Sequence, residues 1–160
     1  MTAPDAARPK YPPSTEKQMR RTRPIMKFFS VANVWLFRAS KGRLGNKFPG
    51  GGPVGLLTAT GRRSGRQITL PLVYGLDAER LVLIASQAGL PRHPLWYLNL
   101  QANPDVMFQI GAHTRPYTAR TVHGEERAHF WRVACVEHPA FDEYQQRTDR
   151  EIPVVVLESL

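Results

Sequence analysis

The sequence predicts an α+β domain built on a mainly antiparallel sheet, closed into a small barrel with helices at its periphery. Three observations carry this. Between residues 54 and 85, three strand-length apolar runs follow one another across short turns, as neighbouring antiparallel strands do. Residues 106–122 repeat the pattern as a hairpin, and "IPVVVLES" adds a further apolar run. Helical spacing of apolar residues falls in separate blocks before and between these runs, so the helices flank a sheet whose closure removes its edges.

The elements follow in order. Residues 1–23 contain Pro4, Pro9, Pro12 and Pro13 and end in Lys17, Arg20, Arg21 and Arg23, which predicts a mobile or loosely docked basic arm. From Pro24, which suits a first helical turn, Ile25, Phe28, Phe29, Ala32, Trp35 and Leu36 recur mostly at steps of three and four. A helix over 24–40 is expected, ended near Lys41-Gly42. "GRLGNKFPGGGP" is too rich in Gly and Pro for regular structure, and leads to strands at 54–59 and 67–74, a turn over Leu76 to Arg80, and a strand from Leu81 to Ala85. "QAGLPRHP" reads as a loop and "LWYLNLQANP" as a short helix ended by Asn103-Pro104. Val106 to Ile110 and Tyr117 to Val122 form the hairpin, turning over Gly111 to Arg115. "GEERAHFWRVACVEHP" is a helix with Glu125 and Glu126 in its first turn, and with Phe130, Val133, Ala134 and Val136 facing inward. "FDEYQQRTD" reads as a polar segment with aromatic punctuation before the last strand. At 160 residues the chain suits one domain over 24–160 and is too short for two ordinary ones.

The formal net charge of +9 suits an anionic partner without choosing among nucleic acid, a membrane surface and a phosphorylated small molecule. Nucleic acid ranks last, because the aromatics are not interleaved with the cations in a stacking strip. Cys135 is the single cysteine, which rules out an internal disulfide and fits a reducing cytoplasm. The N-terminus lacks the layout of a secretory signal, and no apolar run approaches the ~20 residues needed to span a bilayer. The helix over 24–40, with Phe28, Phe29, Trp35 and Phe37 flanked by Lys27, Arg38, Lys41 and Arg43, would rest on an anionic membrane or, as the favoured reading, pack across the barrel. His93, His113, His123, His129 and His138 show no chelating spacing, so no metal is expected. Asp142, Glu143 and Asp149, interleaved with Arg147 and Arg150, predict a solvated, salt-bridged face.

"LLTATGRRSGR", residues 56–66, poses the sharpest question. Its glycines free backbone amides, and Ser64 with the forked guanidiniums of Arg62 and Arg63 supplies the donors that a phosphate or carboxylate takes up. A solvated hairpin turn has the same composition, and the stretch has neither Walker spacing nor, with Gly61 one position too far back, the nucleophile-elbow pattern. From the residues alone both readings stand.

"TATGRRSGR", "TLPLVY", "ASQAGLPRHPLWYLNLQANP" and "FDEYQQRTDREIPVVVLES", in this order, resemble the deazaflavin-dependent nitroreductase family of actinobacteria, from about residue 30 onward. The resemblance implies a split β-barrel, similar to flavin-binding oxidoreductases, with reduced coenzyme F420 (F420H2) as hydride donor. Carried over residue by residue, it places the phosphate loop on Arg62, Arg63 and Ser64, and a cofactor-lining strand on Ile68, Thr69, Leu70, Pro71, Leu72 and Val73. It places further cofactor contacts on Ile84, Ala85, Ser86 and Gln87, and on Leu95, Trp96, Tyr97, Leu98 and Asn99. Trp96 and Tyr97 read otherwise as core aromatics.

Two departures bear on the chemistry. Gln87 stands where relatives often carry a lysine, replacing a charge contact by a neutral hydrogen bond, with Arg92 near enough in sequence to compensate. The family's tyrosine-rich segment appears as "HPAFDEYQ", so His138, Phe141 and Tyr144 form the expected substrate side and Tyr144 alone keeps a phenol to act on the acceptor. The resulting expectation is an F420H2-dependent reductase of a small electron-poor acceptor such as a quinone, enone or nitroaromatic, cytoplasmic or membrane-associated, and a homodimer as one possibility of assembly. The alternative is a non-enzymatic carrier of F420, flavin or haem on the same fold.

Overall fold

The computed structural model describes residues 30–160. The arm expected over 1–23 and the start of the helix expected over 24–40, with Ile25, Phe28 and Phe29, lie outside the described residues. Among the described residues seven strands form one sheet: β1 (Val54–Thr60), β2 (Gln67–Val73), β3 (Gly75–Asp77), β4 (Arg80–Ile84), β5 (Asp105–Ile110), β6 (His113–Val122) and β7 (Val154–Ser159). Their order is β2-β1-β5-β6-β7-β4-β3, with every neighbouring pair antiparallel. Around it lie α1 (residues 30–39), a 3-10 turn (Gln87–Gly89), α2 (Leu95–Ala102), α3 (Gly124–Glu137) and α4 (Ala140–Gln146).

The sheet is curled into a half-barrel, and side-chain alternation explains what each face does. Leu57, Ala59, Leu81, Leu83, Phe108, Tyr117, Val155 and Leu157 point inward and meet Trp96, Tyr97 and Leu100 of α2. Val82, Ile84, Val122, Val154 and Val156 point outward and meet Phe130 and Ala134 of α3 and Phe141 of α4. Strands β4 and β7 are therefore covered on both sides, which is why they read as unbroken apolar runs rather than alternating ones. The curl brings Leu70 and Leu72 of the edge strand β2 against the inner cluster.

The register fixes which segments share an end of the half-barrel. Thr58 pairs with Met107, and Ile84 and Val122 both pair with Val154. The β1–β2 loop, the C-terminal end of β4 and α2 are thereby gathered at one mouth. The β3–β4 and β5–β6 turns lie at the other, around a cavity of about 350 Å³ lined by Leu76, Leu81, Phe108, His113, Arg115 and Tyr117 among others.

Several expectations are revised. Residues 75–77 pair with β4 through Gly75 and Val82 and are a strand rather than part of a turn. Strand β6 begins at His113, because the polar stretch His113 to Pro116 still pairs with β5. "FDEYQQRTD" is mostly the helix α4, whose Phe141 and Tyr144 share one side at a spacing of three while the charges face out. Val136 is 80% exposed and does not face inward. In α1, Trp35 is 70% exposed and Phe37 is the fully buried residue. The helix is docked by its C-terminal end, where Arg38 donates to the Thr69 hydroxyl (3.1 Å) and Gly42 abuts the Gly111 backbone too closely to admit a Cβ.

Candidate active site at the mouth beside the first strand turn

The loop between β1 and β2 is a shaped turn held almost entirely by backbone. Gly61 N–H donates to the Arg66 carbonyl (2.8 Å), Gly65 N–H donates to the Gly61 carbonyl (2.8 Å), and Arg66 N–H donates to Ser64 Oγ (3.3 Å). A Cβ on Gly61 would lie 2.7 Å from Ser64 Oγ and displace that side chain, and Gly65 takes φ +66, a left-handed conformation that favours glycine. Across the mouth, buried Asn99 of α2 accepts the Arg62 N–H through Oδ1 (3.1 Å). That bond ties α2 to the loop and leaves the amides of Arg63 and Ser64 without a partner among the described residues. The side chains of Arg62, Arg63 and Ser64 are exposed.

Next to the loop, β2 divides its residues by alternation. Ile68, Leu70 and Leu72 share the inner face, with Ile68 43% exposed as an open apolar patch at the mouth. Thr69, Pro71 and Val73 face the other way, Thr69 sharing a hydrogen bond with Thr58 (2.8 Å) and accepting one from Arg38. Among the described residues the outer edge of β2 pairs with no strand, a position that tolerates Pro71.

The third wall is the segment from Ile84 to Leu95. Ile84, Ala85 and Ser86 are buried, and then Gln87, Ala88 and Gly89 take φ of 45, 54 and 75, three left-handed residues in a row. Gly89 is pressed against α4, where a Cβ would lie 2.5 Å from the Tyr144 carbonyl oxygen and 2.8 Å from Arg147 Cβ. With its amide assigned so that the nitrogen faces acceptors, Gln87 donates to the carbonyl of Arg92 (3.0 Å). Leu95 is exposed and Leu98 half-buried, whereas Trp96 and Tyr97 belong to the inner core, as their alternative reading had it.

The expected substrate side separates in the structure. His138 is 3% exposed, its Nδ1 hydrogen-bonded to the Gly51 carbonyl (3.1 Å) and its ring edge-on to Phe48 and Phe141. Phe141 is equally sealed, in the outer core. These two pack the layer behind the sheet and offer no surface to a substrate. Tyr144 is half-buried, with a phenol that has no hydrogen-bond partner among the described residues, and its backbone adjoins Gly89.

The expected solvated, salt-bridged face is corrected for Arg150: Arg147 and Glu143 pair there (3.7 Å), Asp142 instead accepts from Trp131 Nε1 (2.7 Å), and among the described residues no carboxylate pairs with Arg150. Arg150 is half-buried and turned onto the third wall, donating to backbone carbonyls of that segment. Burial, and then the neighbouring Arg150 charge, hold the His93 pKa below its ordinary value. The sequence carried no signal for this, because a carbonyl acceptor is the same whatever the residue.

The β1–β2 loop carries Arg62, Arg63 and Arg66 and no acidic residue, Arg38 reaches Thr69 beside it, and the whole stretch 30–76 contains no Asp or Glu. Free amides, a hydroxyl and unopposed guanidiniums beside an open apolar strand face fit a ligand with a flat ring and a polyanionic tail.

Comparison with known proteins agrees with this chemistry. The family model for F420H(2)-dependent quinone reductase matches residues 30–159. An F420H(2)-dependent quinone reductase of Mycobacterium tuberculosis is 38% identical over 125 residues, 76% of this chain and 84% of the relative. The solved structure of an F420-H2 dependent reductase is 43% identical with TM-score 0.63, the match covering 66% of this chain and 94% of that one. A structure solved as a domain-swapped dimer is 33% identical with TM-score 0.66, covering 90% of this chain and all of that one. A heme binding protein from Mycobacterium smegmatis, 18% identical with TM-score 0.54, shares the fold alone.

Proposed function

The chain belongs to the F420H(2)-dependent quinone reductase family, and on that premise we propose how its own residues divide the work of an F420H2-dependent oxidoreductase. The observation that carries the proposal is the shaped loop of Arg62, Arg63 and Ser64, pinned by Asn99 and set in an acid-free stretch beside the open face of β2.

When bound, the reduced deazaflavin supplies the hydride, and the protein supplies position and electrostatics. The guanidiniums of Arg62 and Arg63, the free amides of Arg63 and Ser64 and the Ser64 hydroxyl hold the anionic tail. Ile68, Leu70 and Leu72 exclude water from one side of the ring, and the Ile84 to Gln87 backbone forms the wall opposite. Leu95 and Leu98 close the mouth above. The acceptor is a quinone, and the Tyr144 phenol donates a hydrogen bond to its oxygen as negative charge develops there. With His138 and Phe141 sealed in the core, Tyr144 is the one polar contact assigned to the acceptor side.

The test is titration of the purified chain with oxidised F420 and with FMN, followed by turnover of F420H2 with a menadione-type quinone, read as recovery of F420 fluorescence. F420 binding and quinone-dependent turnover are expected. Tight FMN binding without F420 binding removes the cofactor assignment, and F420 binding without turnover on any quinone, enone or nitroaromatic makes the chain a carrier.

Two features of assembly belong to the same proposal. The described residues form one cofactor-binding unit, and two copies associate as in the domain-swapped relative; sedimentation of the full chain tests the association. No helix among the described residues is long and apolar enough to cross a membrane. A peripheral membrane contact is favoured by the exposed Val31, Trp35, Leu36, Leu44 and Phe48, and Trp35→Ala would weaken co-sedimentation with anionic vesicles.

A further inference from the structure

We propose that Arg150 is the positioning residue of the active site, its guanidinium fixing the wall from Ala85 to His93 against which the ring and the acceptor meet. This rests on the reading that Ile84 to Gln87 face the cofactor. Arg150 Nη2 donates to the carbonyls of Ala85 (3.2 Å) and Ser86 (2.8 Å), Nε donates to the carbonyl of Leu90 (2.7 Å), and Nη1 meets His93 Nδ1 (3.2 Å). One planar fork thus holds four acceptors spread over nine residues, a set that the compact ammonium of a lysine does not span.

The segment needs such a bracket. Gln87 and Ala88 bear a Cβ yet sit in the left-handed region at φ 45 and 54, a conformation that persists only where its surroundings over-determine it. Arg150 binds the backbone on both sides of this turn, at Ala85 and Ser86 before it and at Leu90 after it, and reaches the His93 ring beyond. Among the described residues no carboxylate pairs with Arg150, so its charge is directed onto these dipoles alone. Its hydrogen to Nδ1 also selects the His93 tautomer that carries the ring proton on Nε2.

A residue that sets the wall without holding the tail separates catalysis from binding. The tail donors Arg62, Arg63 and Ser64 lie on another loop, so loss of the bracket leaves F420 affinity nearly intact and shifts the ring relative to the acceptor. A displacement of about 1 Å lowers a positioned transfer roughly 10²-fold. Arg150→Lys is therefore expected to lower kcat by at least tenfold while changing the F420 Kd less than threefold, and Arg150→Ala to lower kcat further. Added ethylguanidinium is expected to restore part of the kcat of Arg150→Ala.

The experiment measures kcat with F420H2 and quinone, F420 Kd by fluorescence titration and thermal midpoint, for the wild type and both variants. Wild-type kcat in Arg150→Lys overturns the proposal. So does a kcat loss that ethylguanidinium leaves unchanged and that follows the fall in thermal midpoint, since Arg150 is then only a structural brace. A wild type that neither binds nor turns over F420H2 overturns the functional reading, and this inference with it. Normal wild-type turnover beside normal Arg150→Lys turnover overturns the inference alone.

Discussion

Arg62→Ala and Arg63→Ala, singly and together, separate the charge of the β1–β2 loop from its shape. Both side chains are exposed and have no partner among the described residues, while the path of the loop is set by the backbone bonds of Gly61, Gly65 and Arg62. Truncation is therefore expected to change folding stability by no more than about 0.5 kcal/mol. A hydrogen bond from a guanidinium to a phosphate or carboxylate contributes about 1.5–3 kcal/mol. At about 1.4 kcal/mol per decade, each single variant loses roughly 10- to 100-fold in F420 affinity and the double variant roughly 10²- to 10⁴-fold. Adjacent arginines on one anion share partners, so the double falls toward the lower end of that range. The amides of Arg63 and Ser64 survive the substitutions and keep binding measurable. Fluorescence titration with F420 at several ionic strengths is the assay, and the double variant is expected to show a shallower salt dependence than the wild type. A double variant that binds within twofold of the wild type refutes the anion-cradle reading. A collapse of its thermal midpoint refutes the claim that the loop keeps its shape without these two side chains.

Other outcomes follow from the same geometry. Asn99→Leu removes the acceptor for the Arg62 amide, which is expected to cost about 1–3 kcal/mol of stability and to weaken F420 binding; unchanged binding would show the loop to be self-supporting. Gly89→Ala meets both a left-handed φ and the Tyr144 carbonyl, about 2–5 kcal/mol together, whereas Gly65→Ala meets only the former, about 1–2 kcal/mol; equal melting shifts would contradict the packing of Gly89 on α4. Tyr144→Phe is expected to lower kcat about 10- to 100-fold at unchanged F420 affinity, and an unaltered kcat would remove the phenol from the chemistry. Burial, then the adjacent Asp142, push the Cys135 thiol up to about 12. Alkylation by iodoacetamide is expected to be slow at neutral pH and to accelerate only in strong alkali. Because the folded chain favours the protonated thiol, this group's contribution to stability is complete below pH about 8.5 and is lost as the pH climbs through 12. Rapid labelling at pH 7 would show the thiol to be accessible and ionised.

What the sequence made legible was what strand and turn chemistry encode locally. Gly61 and Gly65 marked the turn, and the unbroken runs Leu81–Ile84 and Val154–Leu157 marked strands buried on both faces. Helix α4 was hidden because Asp142, Glu143, Gln145 and Gln146 outweigh the two inward aromatics in any count of polarity. On α1, Val31, Trp35, Leu36 and Phe37 give two competing apolar stripes, and only the docking of Arg38 and Gly42 against the sheet decides that Phe37 is the one buried. At the site, Arg62 and Ser64 were legible as donors. Asn99 as their anchor and Arg150 as a bracket were not, since their partners are backbone groups 37 and 60–65 residues away in sequence.

The pairing of β4 with β7 also governs how the chain is made. Ile84 waits for Val154, 70 residues further along, before its edge of the sheet is satisfied. Until the ribosome has released that later strand, Leu81 to Ile84 form a short apolar ribbon with an unfilled edge, joined only to β3. Nascent chains stalled before residue 154 should therefore adhere to one another and recruit chaperones, and chains extended past β7 should close at once.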